Sequence, residues 1–367
     1  MKPKLPVIFA AVFSFFAVTQ SLYAAAKPTV SGFVDMSFVM NQDVEIDSTF
    51  NLDQAELDIE HKVSNEASAR IDLQYLPTKV GYVSNVNVAD VDTGSVQNDV
   101  RVTDSKGAFL TWQDIVEQAF INYSFGRSSL KFGTFNAPIG FERLDAPDIY
   151  QYSHSMVFNY GVPKNLTGAM VNMGGDKFDL AIYYVNGWDN MTDDSNDKTF
   201  GGRLGLNAPD GVIGISYVKG EEFGASGILG NRTVLDIDLT YTAYTNMIIG
   251  AQYNSGTQAN GVAAGIDGKW DGFLVMTNYT VSDVYSITLR YDSFTDDGGT
   301  RMRGVALGGK ETRTAMTAAM LFPIAEGLAW RLEYKTTSSD QPVFPDSSGA
   351  ITNDGEEIIA AELTYSF

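Results

Sequence analysis

Apolar and polar residues alternate along this chain with a period of two, and that period belongs to a strand with two unlike faces. In residues 328–335 the even positions Leu328, Trp330, Leu332 and Tyr334 are apolar or aromatic, while Arg331, Glu333 and Lys335 fall on odd ones. The same pattern runs through Tyr285, Ile287, Leu289 and Tyr291, through Ala67, Ala69, Ile71 and Leu73, and through Leu235, Ile237, Leu239 and Tyr241. A helix would scatter these residues around its surface. A soluble sandwich would also alternate, so the class has to be settled by other features.

Two features favour a membrane barrel. Aromatics gather at strand ends, among them Tyr123, Phe125, Tyr184, Tyr241, Tyr253, Tyr279, Tyr291, Tyr334, Tyr365 and Phe367, as in the interfacial girdles of barrels. The connections also alternate between short and long. Tight turns are expected at Ser64-Asn65, Gly126-Arg127, Gly174-Gly175, Pro209-Asp210, Thr245-Asn246, Ser282-Asp283 and Ala325-Glu326, mostly residue types that hairpins demand. Eight long connections separate them, including 256–267 between two of the strands. The pattern predicts about 10 residues per strand, and short periplasmic turns with long extracellular loops. The expected fold is all-β, an antiparallel up-and-down transmembrane barrel of sixteen strands, with fourteen or eighteen as alternatives.

The N-terminus points to export. Lys2 and Lys4 precede an apolar run at 5–18, and Ala24-Ala25-Ala26 offers a small-residue cleavage site after Ala26. These are the parts of a secretory signal peptide, and the run is shorter than the ~20 residues of a spanning helix. Residues 1–26 are therefore expected to be removed, leaving 27–367 as one barrel domain. Losing the two lysines takes the formal charge from −20 to −22. Such acidity excludes nucleic acid as a partner, because a binder must neutralise phosphate. There is no cysteine, so the fold holds without disulfides.

The segment Gly133-x-Phe135-x-x-Pro138-x-Gly140-x-Glu142 resembles a motif of the OmpL-like β-barrel porin family, and a similar stretch occurs in the phosphate-selective porin O and P family. The resemblance implies a water-filled outer-membrane channel for small hydrophilic solutes, and a loop at 136–164 that folds toward the lumen with Tyr150, Tyr152, Phe158 and Tyr160 as anchors. Its alternatives are a substrate-specific channel, for anions or phosphate, and a structural or adhesive barrel. The partners implied are outer-membrane lipid and lipopolysaccharide, the barrel assembly machinery through Phe367, and further copies of the chain in a homotrimer. Ile359, Ala361, Leu363, Tyr365 and Phe367 alternate to a terminal aromatic, as in the C-terminal signature of such barrels.

By this register Arg70, Lys131, Arg203, Arg290, Arg313 and Arg331 point inward, interleaved with carboxylates such as Glu56, Asp58, Asp72, Asp292, Glu333 and Glu362. The interleaving argues against a phosphate filter, which needs an uninterrupted basic ladder. The inward arginines of strands thirteen to fifteen are expected to face Glu142, Asp145 and Asp148 of the folded loop and set a transverse field at the constriction. Acidic loop residues (Asp189, Asp193, Asp194, Asp197, Asp296, Asp297) read as solvated and flexible, and no metal site or cofactor is expected. An enzyme is not expected either. Only His61 and His154 exist, and the adjacency in Ser153-His154-Ser155 does not supply the nucleophile, base and orienting group of an acyl-transfer site.

Overall fold

A computed structural model describes residues 27–41, 48–75, 115–195 and 197–367; residues 1–26, where a signal peptide is expected, and most of the connection before residue 115 lie outside them. Sixteen strands close into one barrel: β1 (Thr29–Asn41), β2 (Ser48–Lys62), β3 (Ala67–Tyr75), β4 (Val116–Phe125), β5 (Ser128–Asn136), β6 (Asn165–Gly174), β7 (Phe178–Val185), β8 (Thr199–Ala208), β9 (Gly211–Phe223), β10 (Leu229–Tyr244), β11 (Met247–Ala263), β12 (Ile266–Ser282), β13 (Tyr285–Asp297), β14 (Lys310–Ala325), β15 (Leu328–Ser339) and β18 (Gly355–Ser366). Two short strands, β16 (Phe344–Pro345) and β17 (Ile351–Asn353), form a separate hairpin in the connection before β18. Every neighbouring pair in the barrel is antiparallel. The ring shuts where β1 pairs with β18 in the register Phe33↔Ser366 to Asn41↔Ile358. The Phe367 and Gly32 backbones exchange hydrogen bonds of 3.0 and 3.1 Å just beyond that ladder.

Alternation becomes two surfaces. Ile182, Leu204, Ile215, Leu235, Ile237, Val275, Leu289 and Met316 face outward and are exposed, which only a hydrocarbon surrounding makes favourable. Tyr217, Tyr253, Phe273, Tyr291 and Tyr334 gird one end of this band, and Phe125, Tyr241, Tyr279, Trp330 and Tyr365 gird the other. Among the described residues no helix is long and apolar enough to cross a membrane; the strands are the spanning elements.

The short turns sit at one end, as expected. Gly126 (φ 64°) and Gly327 (φ 72°) supply the left-handed backbone in two of them, and a Cβ on Gly327 would run into the Ser366 carbonyl. At the other end one expectation fails. The stretch 256–267 is not a long loop: β11 and β12 continue as a paired ladder to Gln258↔Gly268 and reconnect at Ala263↔Ile266. Gly256 read as a loop residue, yet it is a strand residue without a side chain because the Trp270 ring lies over it.

A closed ladder has no edge at which unfolding can start. The unboiled protein in detergent is therefore expected to migrate differently from the boiled form, with a strand-dominated circular dichroism spectrum. Identical migration before and after boiling would contradict closure.

Candidate functional site

Residues 137–164, between β5 and β6, fold into the barrel, and the motif that opens this loop is what turns it inward. Phe135 is fully buried. Gly140 takes a φ of 84°, and a Cβ there would strike the Gln252 side-chain amide. The next residue, Phe141, donates its backbone N–H to Gln252 Oε1 at 3.0 Å and lays its ring over Gly250. Glu142 then becomes the centre of the loop. It accepts Gln151 Nε2 at 2.8 Å, Ser155 N at 3.0 Å, the Ser155 hydroxyl, and Arg290 Nη1 at 3.0 Å.

The far side of the loop is clamped to β13 and its neighbours. Arg290 donates to Glu142 (3.0 Å), Asp292 Oδ1 (2.9 Å), the Ser153 carbonyl (2.5 Å), Ser153 Oγ (3.2 Å), the His154 carbonyl (3.3 Å) and Thr317 Oγ1 (3.3 Å). Asp292 accepts Met156 N at 3.0 Å, Glu333 accepts Ser153 N at 3.0 Å, and Thr288 Oγ1 donates to the Tyr150 carbonyl at 3.0 Å. Arg331 pairs with Glu362 and donates to the Ala146 and Ile149 carbonyls. Tyr152 bonds to Ser37 on β1 and Asp53 on β2. Between these polar ties Met156, Val157 and Val162 pack with Leu274, Met276 and Phe294 of the wall in one buried apolar cluster. Tyr160 tilts against Phe294 with ring centroids 5.7 Å apart.

Arg290 meets Glu142 of the loop as expected, but as a closed ion pair. Arg290 and Arg331 point inward but are only 3% and 2% exposed, their charges matched by Glu142, Asp292 and Glu362. They hold the loop and do not line an open aperture. Arg313 pairs with Glu311 under the Phe344 ring, and Arg203 pairs with Asp238. Arg70 bridges Asp72 and Asp58 at 2.7 and 3.4 Å. Lys131 lies over the Phe120 ring at 4.1 Å.

Open space lies on the other flank, between the loop and the wall from β1 to β8. Three cavities of about 420, 430 and 330 Å³ follow one another along it. The first two share Leu144, Phe158 and Lys164, and the last two share Ile139 and Arg143. Arg70, Arg143, Asp145, Asp148 and Lys164 line the middle one. Burial, reinforced by the Glu117 and Asp148 carboxylates, pushes Asp145 up to about 8, and burial lowers Lys164. Sequence reading overlooked Arg143 and Lys164, because loop residues carry no period that assigns them a face.

His154 stacks on Phe158 at 4.1 Å and Nε2 contacts the Arg143 carbonyl at 2.8 Å. Crowding by the loop and wall lowers it to about 4, which suits a neutral stacked ring. Ser155 Oγ is committed to Glu142 and Ser153 Oγ to Arg290, so neither serine is poised on the imidazole. His61 shares the outward parity of Leu57 and Ile59. Two of the acidic residues expected in flexible loops are held, and Asp296 lies at the end of β13. Asp189 caps the Lys164 and Asn165 N–H groups at 2.6 and 2.9 Å, and buried Asp296 holds those of Thr300, Arg301 and Met302.

A closed sixteen-strand barrel with an apolar belt, a polar interior and a loop folded across it is an outer-membrane channel. The chain belongs to the family described as "Putative beta-barrel porin-2, OmpL-like", which it matches over residues 27–367, and it is a porin of the bacterial outer membrane. Similar solved structures include the anion-selective porin from Comamonas acidovorans (TM-score 0.63, 10% identity, covering 93% of this chain and 99% of that one). The outer membrane channel DcaP of Acinetobacter baumannii is also similar (0.62, 12%, 95% and 99%), as is the trimer form of OmpT, an outer membrane protein of Vibrio cholerae (0.61, 11%, 93% and 99%). At these identities the likeness is one of fold. Comparison with curated proteins gave no match.

Proposed function

We propose that the channel is a passive, non-enzymatic diffusion pore for small hydrophilic solutes, with a weak preference for cations. The observation that carries this reading is the burial of Arg290 and Arg331 against carboxylates. An anion filter needs basic groups that reach the ion, and these two are spent on the loop. Along the passage basic and acidic side chains are mixed, Asp145, Asp148 and Asp179 standing beside Arg70, Arg143, Lys164 and Arg203, so the excess of carboxylate is that of the whole chain, whose formal charge is −20. Excess carboxylate raises the local cation concentration, an effect that weakens as salt shortens the Debye length from ~10 Å at 0.1 M to ~3 Å at 1 M.

Reversal potentials across a salt gradient test this. A cation-selective sign that fades with rising salt is expected, and an anion-selective sign at low salt would overturn it. Arg143→Gln removes an exposed positive charge at the joint between two cavities and is expected to strengthen the cation preference. Cleavage after Ala26, recognition of the closing strand and Phe367 by the assembly machinery, lipopolysaccharide as the outer contact, and a homotrimer belong to the same proposal. The trimer form of the Vibrio cholerae neighbour supports the last, and chemical cross-linking of the unboiled protein tests it.

A further inference from the structure

One group of side chains remains unexplained by conduction. Glu56 on β2, Glu117 on β4 and Asp145 on the inward loop bring a carboxylate oxygen each to within 4.8 Å of one another. Glu56 also belongs to a second trio with Asp58 and Asp72. Against these five carboxylates stands Arg70, already engaged by Asp58 and Asp72. Glu117 is only 1% exposed. Its Oε1 accepts Asn136 Nδ2 at 2.9 Å, while its Oε2 is buried with no N–H donor and the Glu56 carboxyl beside it, and Asp145 Oδ1 is buried without a hydrogen-bond partner. Asp145 comes from a different element than the other two, so folding the loop inward is what completes the group.

A buried carboxylate oxygen with no donor is costly to leave so, and three carboxyl groups converging on one point either hold protons or stay charged together around a cation. We propose that Glu56, Glu117 and Asp145 bind one calcium ion, which ties the constriction loop to the β2–β4 wall. The donor set is all hard oxygen, without histidine or cysteine, and so suits calcium over zinc. Oxygens no more than 4.8 Å apart can all touch one ion at the 2.3–2.6 Å typical of calcium. The site faces the passage and lies opposite the Arg290 clamp, so the loop would be held on both flanks.

The test uses the whole barrel folded in detergent without lipopolysaccharide, stripped with EDTA and titrated with calcium chloride in a calorimeter. Binding is read without conduction, so its failure and a failure of the pore reading are distinguishable. One saturable site is expected in the wild type, weakened at least tenfold, as an order of magnitude for losing one charged ligand, in both Glu117→Gln and Asp145→Asn. Asp145 lies outside the strands, and retained heat-modifiability would show that its variant still closes. No saturable binding up to millimolar calcium, or equal binding by the wild type and both variants, would overturn the site.

Discussion

Replacing Arg290 with alanine is expected to unlatch the loop and raise single-channel conductance severalfold, while the barrel itself stays closed. The guanidinium makes six polar contacts with the loop and wall and is shut away from water. Its removal leaves Glu142 and Asp292 buried without their countercharge, and breaking a buried pair from one side costs about 3–5 kcal/mol. The strand ladder does not depend on that side chain, so the cost falls on the loop, which can swing into the lumen and hydrate both carboxylates. Larger and noisier current steps with unchanged heat-modifiability are the expected record. Arg290→Lys should be intermediate, since an ammonium keeps the charge but cannot reproduce the planar fork. Wild-type current steps from the alanine variant would show that the loop is held by its apolar packing alone.

On the opposite face of the same strand, Leu289→Arg is expected to cripple insertion. Leu289 is 54% exposed and points outward between Thr277 and Ala318, where the exposure is to lipid. An arginine near the membrane midplane costs ~2–4 kcal/mol on this face, a large share of a typical folding free energy. Ser286→Arg, on the inward face beside Asn278, should fold and alter only conduction. Folded yield from urea into lipid vesicles separates the two. Equal yields would show that the assignment of faces is wrong.

The barrel was legible because its period is local. Each strand carries its own alternation, and each tight turn its own Gly, Asn, Asp or Pro, so sixteen strands could be read from neighbours alone. The upper end of β11 and β12 was not. Gly256 looks like a turn residue, and only the Trp270 ring over it explains why glycine stands there in a ladder. The site was legible in part. Gly133, Phe135, Gly140 and Glu142 marked the loop, and inward parity found the arginines. What parity could not show is neutralisation, because the groups that silence Arg290 and Arg331 include Glu142, Ala146 and Ile149, far away in sequence. Arg143 and Lys164 were missed for the related reason that an irregular segment assigns its side chains by tertiary contact.

The loop's crossing has a mechanical consequence. A thin-walled tube under lateral pressure from its surroundings yields most easily by flattening to an ellipse, since that distorts each strand crossing only slightly. A strut spanning the diameter opposes that mode directly. Here the strut grows out of β5 and β6, is bonded to β11, β13 and β15, and meets the wall through a packed apolar contact of low compressibility. The segment that narrows the bore is thus also the brace that keeps the cross-section round. Widening the bore by loosening it will make the tube softer, and the current through it will fluctuate as the wall breathes.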